Sequence, residues 1–189
     1  MRKYAVLTLI GLGLFLFQGV VFAEDLDPKF HSREEISFKI PFGKSYDYSD
    51  ALVTRVVDGD TLILETGERV RLIGIDTPEM HESSKLYRDS KKSQEDVSVI
   101  KEMGRRSYNF TKRLIEGKKV RLEFDVEKHD KYKRLLAYVY LKDGTFVNAK
   151  IVEEGYASLM TYPPNVKYAD LFLALYRQAR ENKRGLWGD

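Results

Sequence analysis

Asp60 follows a glycine bend in Asp58-Gly59-Asp60, and Asp76 ends an apolar strand further along. Two hairpin-linked strands can bring such positions together. Two carboxylates and a main-chain carbonyl, which Thr77 can supply, suit a hard cation with oxygen ligands. Glu79 lies just past Pro78, which fixes the direction of the chain. A third carboxylate there can act as a base or orient a water. Arg71 sits in the run Val70-Arg71-Leu72-Ile73, where a charge is costly to bury without a partner. Arg134 follows Asp130-Lys131-Tyr132-Lys133 and opens another apolar strand. Two guanidinium groups near a metal ion serve phosphoryl transfer, because they grip phosphate oxygens in pairs and offset charge in the transition state.

Taken singly, each residue has a plainer reading. Asp-Gly is a common turn, and Asp76 with Pro78 can simply terminate a strand. An arginine among apolar residues is often a structural ion pair. Tyr132 can pack on a surface, and lysines in a polar stretch usually mean a solvated loop.

The rest of the composition narrows the chemistry. The chain has 189 residues and no cysteine, which excludes disulfides, zinc-thiolate sites and thiol catalysis. His31, His81 and His129 are far apart and match no metal spacing. Hydrophobic residues make up 43%, enough for a packed core. Met1-Arg2-Lys3 is a basic start, Tyr4–Val21 is almost wholly apolar, and Val21-Phe22-Ala23 offers a cleavage site. Residues 1–23 therefore read as a secretory signal, with an uncleaved membrane anchor as the alternative. Either way the remainder is exported, to the periplasm or the exterior. Removing residues 1–23 takes away Arg2 and Lys3 and lowers the net charge from +3 to +1. A polyanion must then be held by a local basic cluster rather than by bulk charge.

These groups need a scaffold. Residues 24–50 read as a linker or N-terminal arm, and 51–189 as one folded domain. Leu52–Val57, Thr61–Glu65 and Glu68–Ile75 read as successive antiparallel strands separated by turns. Residues 80–100 are charged and serine-rich and read as a long mobile loop, with a short helix near Val97–Lys101. A helix follows over Arg105–Glu116. Val120, Leu122 and Phe124 alternate with charged residues, and Leu135–Leu141 is apolar, so each is expected to form a strand. Asn148 is placed to cap a helix ending near Gly155, and a last helix runs over Tyr168–Asn182. The order predicts an α+β fold: a closed five-stranded OB-fold barrel with about three flanking helices.

Together, Val57-Asp58-Gly59-Asp60-Thr61 and Val70-Arg71-Leu72-Ile73-Gly74-Ile75-Asp76-Thr77-Pro78-Glu79 resemble the signature of staphylococcal-type nucleases. Asp130-Lys131-Tyr132-Lys133-Arg134-Leu135-Leu136-Ala137-Tyr138, Val147-Asn148, Gly155-Tyr156-Ala157 and Arg184-Gly185-Leu186-Trp187 extend the resemblance over about residues 51–188. The resemblance implies that Asp60, Asp76 and the Thr77 carbonyl hold Ca²⁺. It implies that Glu79 orients or deprotonates the attacking water, and that Arg71 and Arg134 bind the scissile phosphate. Asp58 would support the metal ligands, and Lys131, Tyr132 and Tyr162 would contact a neighbouring phosphate or base. The implied activity is calcium-dependent endonucleolytic cleavage of DNA or RNA with 3′-phosphate products. No stable protein partner is implied, and a monomer is expected. The alternative is an OB-fold module that binds single-stranded nucleic acid without cutting it. Three departures stand out. The stretch after Glu79 is longer than in the staphylococcal enzyme, Lys133 and Leu135 stand where glycines are usual, and the spacing near Tyr162 slips by one residue.

Overall fold

The structure, a computed structural model, describes residues 46–188. The signal or anchor read at 1–23, and the arm as far as residue 45, lie outside the described residues. Residues 46–50 lead into the first strand. There Tyr48 packs edge-on against Phe124 at 5.2 Å and donates its hydroxyl to Glu68 at 2.8 Å.

The barrel has five strands: β1 (Ala51–Asp58), β2 (Thr61–Leu64), β3 (Arg69–Leu72), β5 (Lys119–Glu123) and β6 (Leu135–Leu141). They close in the order β1-β2-β3-β6-β5, with β3 and β6 parallel and the other pairs antiparallel. Closure leaves the barrel without a free sheet edge, and its five strands with flanking helices fit an OB-fold. Leu62, Leu64, Val70, Leu72, Val120, Leu122, Leu135, Ala137 and Val139 fill the interior at two-residue spacing. Val53 and Val56 break that spacing, because a bulge between Val53 and Arg55 shifts the register against β2. Truncating a fully buried side chain such as Leu62 to alanine should cost about 2–5 kcal/mol.

The third predicted strand divides. β3 stops at Leu72, and Gly74 turns the chain with φ +83°. A Cβ at Gly74 would lie 2.5 Å from the Phe172 ring, so glycine is needed for close approach as well as for the turn. Beyond it β4 (Gly74–Asp76) leaves the barrel and pairs antiparallel with β7 (Ser158–Met160).

The loop expected over residues 80–100 is mostly helical. α1 (Ser84–Ser93) is capped by the Ser83 side chain, which accepts the Leu86 N–H at 3.1 Å. α1 ends at Gln94 in the left-handed region. α2 (Val97–Ile115) is one 19-residue helix, not a short helix followed by a second one. Asp96 caps it, and Ile100, Gly104, Ser107, Thr111 and Ile115 recur on its buried face. α3 (Val147–Glu153) and α4 (Ala169–Glu181) complete four α-helices among the described residues, where about three flanking helices were expected, and a 3₁₀ turn spans Gly185–Trp187.

Asn148 lies within α3 and caps nothing. Its buried amide accepts the Val139 N–H at 3.0 Å and donates to the Ile73 carbonyl at 3.0 Å. That staples β6 to the point where the chain departs from the barrel. Among the described residues, no helix is long and apolar enough to cross a membrane.

Candidate active site

The β1–β2 turn carries Asp60 inward until only 5% of the residue is exposed. Its Oδ1 accepts the Thr61 hydroxyl at 3.0 Å. Its Oδ2 accepts the Thr77 N–H at 2.9 Å and the Thr77 hydroxyl at 3.1 Å. Arg71, opposite Thr61 in the β2–β3 register, reaches the same oxygen through Nη1 at 2.9 Å. Nη2 of Arg71 reaches Asp76 Oδ1 at 3.0 Å. One planar guanidinium thus ties together the carboxylates of Asp60 and Asp76, and they are the partners of the arginine in its apolar strand.

α2 buttresses this assembly from behind. The Thr111 hydroxyl donates to the Gly59 carbonyl at 2.8 Å, fixing the turn that presents Asp60. At Gly104 the helix meets the backbone of Glu79 and Met80 so closely that a Cβ would lie 2.6–2.7 Å from it.

Lys85 of α1 links Glu79 to this assembly. Lys85 Nζ lies 2.9 Å from Asp76 Oδ1, 3.1 Å from the Thr77 carbonyl oxygen and 3.1 Å from Glu79 Oε1. Among the described residues, no three His, Cys, Asp or Glu side chains form a group that could hold a metal ion. The donor chemistry of Asp60, Asp76, the Thr77 carbonyl and Glu79 is oxygen-only and fits a hard cation. Three of those four residues are engaged by the Lys85 ammonium.

Arg71 also forms part of the wall of a cleft of about 590 Å³. Arg134, Lys131, Tyr132 and Tyr162 line the same cleft. The structure therefore brings every sequence-selected basic and aromatic residue to one face, joined to the acidic group through Arg71. Tyr132 and Tyr162 are 68% and 70% exposed, so their rings are open to a partner. Asp130 organises the turn. It accepts the Tyr132 and Arg134 N–H groups at 2.8 and 3.0 Å, and its other oxygen takes Arg134 Nε at 2.7 Å. The Arg134 guanidinium lies 5.4 Å from the Tyr132 ring centroid. Lys133 adopts φ +63°, a left-handed conformation that glycine enters without steric cost.

Charge is unevenly held. Burial, then the Asp60 charge, pushes the Asp58 carboxyl up to about 7. Burial also acts against the Asp60 charge, but Arg71 and the Thr77 N–H outweigh it and hold that carboxyl below the usual range. Below neutral pH the pair thus carries its charge on Asp60. Burial raises Asp76 despite Lys85 and Arg71. Burial opposes the charge on Lys85, but Asp76 and Glu79 raise its pKa, so it is a cation.

The family profile for staphylococcal nuclease homologues matches residues 69–189. The thermonuclease of Staphylococcus intermedius is 40% identical over 148 residues, covering 77% of each chain. The thermonuclease of Staphylococcus hyicus is 35% identical over 140 residues, covering 72% of this chain and 75% of that one. Endonuclease YncB of Bacillus subtilis is 36% identical over 138 residues, covering 70% of this chain and 59% of that one. The chain belongs to the staphylococcal nuclease family.

Membership in the staphylococcal nuclease family carries a class of activity, phosphodiester hydrolysis of nucleic acid. It also gives the five-stranded barrel its functional sense, as the frame that sets Arg71 between acids and cleft. Sequence reasoning about this family member missed Lys85, Gly104 and Thr111. In the sequence Lys85 is one of several lysines in a polar stretch, a pattern that usually means a solvated loop. Gly104 and Thr111 lie on the buried stripe of α2, a pattern that reveals a packed face but not what the face supports.

Proposed function

We propose that the chain is an exported, calcium-dependent endonuclease that hydrolyses DNA, RNA or both and leaves 3′-phosphate ends. The observation that carries this is Arg71: one fork holds Asp60 and Asp76 and also walls the cleft that contains Arg134. Asp60, Asp76 and the Thr77 carbonyl are the groups to hold Ca²⁺. Bound there, the ion would withdraw electron density from a phosphate oxygen and acidify a water.

The chain's own residues supply the rest. Arg71 and Arg134 bind non-bridging phosphate oxygens and offset the charge that builds on them. Glu79 orients or deprotonates the water, whose oxygen attacks phosphorus as the bond to the 5′ oxygen breaks. Asp130 holds Arg134 in place through Nε, and Lys131, Tyr132 and Tyr162 position the neighbouring nucleotide by charge and stacking. Asp58 supports the turn that presents Asp60.

A second reading is supported by Lys85. An ammonium already on Asp76, Thr77 and Glu79 suits a barrel that binds nucleic acid and does not cut it. Digestion of plasmid DNA and single-stranded RNA by the purified exported chain, in Ca²⁺ and in chelator, separates the two. Calcium-dependent fragments with 3′-phosphate termini are expected. Oligonucleotide binding without fragments in calcium would establish the binding module instead.

A further inference from the structure

Lys85 belongs to α1, in the stretch after Glu79 that departs from the staphylococcal pattern. It is the second residue of that helix. The Ser83 cap starts the helix, and Leu86, next in sequence, is fully buried. The ammonium's three N–H bonds meet three oxygens at 2.9–3.1 Å, from Asp76, Thr77 and Glu79. Its hydrogen-bonding capacity is therefore fully used on those groups. The side chain is 25% exposed, so water screens these contacts only in part.

We propose that Lys85 is a built-in competitor for the metal position: its ammonium and Ca²⁺ exclude each other, and Lys85 sets how tightly calcium is held. This rests on the calcium reading above. Calcium takes oxygens at roughly 2.3–2.6 Å, closer than an ammonium does. Two cations drawing on the lone pairs of Asp76 Oδ1 and the Thr77 carbonyl oxygen would stand within a few ångströms of each other, where like charges repel strongly. One must leave, and lysine can. Its four-carbon stem lets the head swing into solvent while Leu86 keeps the helix docked. In the metal-free protein the same ammonium offsets the repulsion among Asp60, Asp76 and Glu79. Lys85 therefore stabilises the acidic group without calcium and weakens calcium binding.

Titration calorimetry with Ca²⁺ alone, on the full exported chain, tests this. Lys85→Met should bind calcium about tenfold more tightly than the wild type, a coupling of ordinary size. Lys85→Gln, which keeps a hydrogen-bond donor without charge, should do the same, and Lys85→Arg should not. In chelator both neutral variants should melt below the wild type, and calcium should raise their Tm by more than it raises the wild type's. If the neutral variants bind calcium no more tightly than the wild type, competition is overturned while the calcium reading stands. If neither the wild type nor the neutral variants bind calcium, both fall.

Discussion

Gly104 of α2 lies so close to Glu79 that a methyl group added at its α-carbon would sit 2.6 Å from the Glu79 carbonyl carbon and 2.7 Å from its oxygen. The helix is the bench on which the proposed base rests. Gly104→Ala pits improved helix propensity, about 1 kcal/mol, against overpacking that costs about 1–3 kcal/mol. Because backbone rather than a flexible side chain stands in the way, the clash should win. We expect lower stability by chemical denaturation and a loss of about tenfold or more in kcat/KM as Glu79 is pushed from its place. A more stable, fully active variant would show that the contact does not position Glu79.

Glu79→Gln keeps shape and removes charge. Nuclease activity should fall by about 10²–10⁴, while circular dichroism and the calcium titration remain close to wild type. Turnover near the wild-type rate would remove Glu79 from the mechanism.

Arg134→Lys tests the fork. A point charge cannot engage Asp130 through Nε and at the same time offer paired donors to a phosphate. A loss on the order of 10²-fold or more is expected in kcat, with the barrel still folded. Retained activity would mean that another cation carries the load.

The Asp58 carboxyl gives a pH signature in the metal-free protein. It is raised from an ordinary 3.8 to about 7 in the folded chain. Between these values the folded state holds a proton that the unfolded state has released, so stability is lost as pH rises. In chelator, this group should lower the unfolding free energy by about 2–4 kcal/mol between about pH 4 and pH 8. Asp58→Asn should remove that decline and be the more stable protein near pH 8. Parallel stability curves for the two proteins would show that Asp58 ionises freely in the fold.

Some of the site is legible in the sequence. Asp60 lies in the β1–β2 turn, Arg71 on β3 and Asp76 at the end of β4, and the short connections between these elements leave few ways to join them, so their convergence follows from local pattern. The inserted segment was not legible. α1 buries only Leu86, so it has no apolar stripe from which to read a helix. β4 and β7 are three residues each, too short to show alternation, and their pairing joins residues far apart in the chain.

What this sequence determined alone was the inventory: acids, arginines and aromatics of the right kind, in barrel-forming segments whose two-residue periodicity orients each side chain before the chain closes. The tertiary structure alone decided which groups share space. Lys85 reaches Asp76 and Glu79, Gly104 supports Glu79, and Asn148 staples Ile73 to Val139, because packing brings distant segments within hydrogen-bonding range. Contacts of that kind depend on the folded path of the whole chain and leave no periodic mark on the residues that make them.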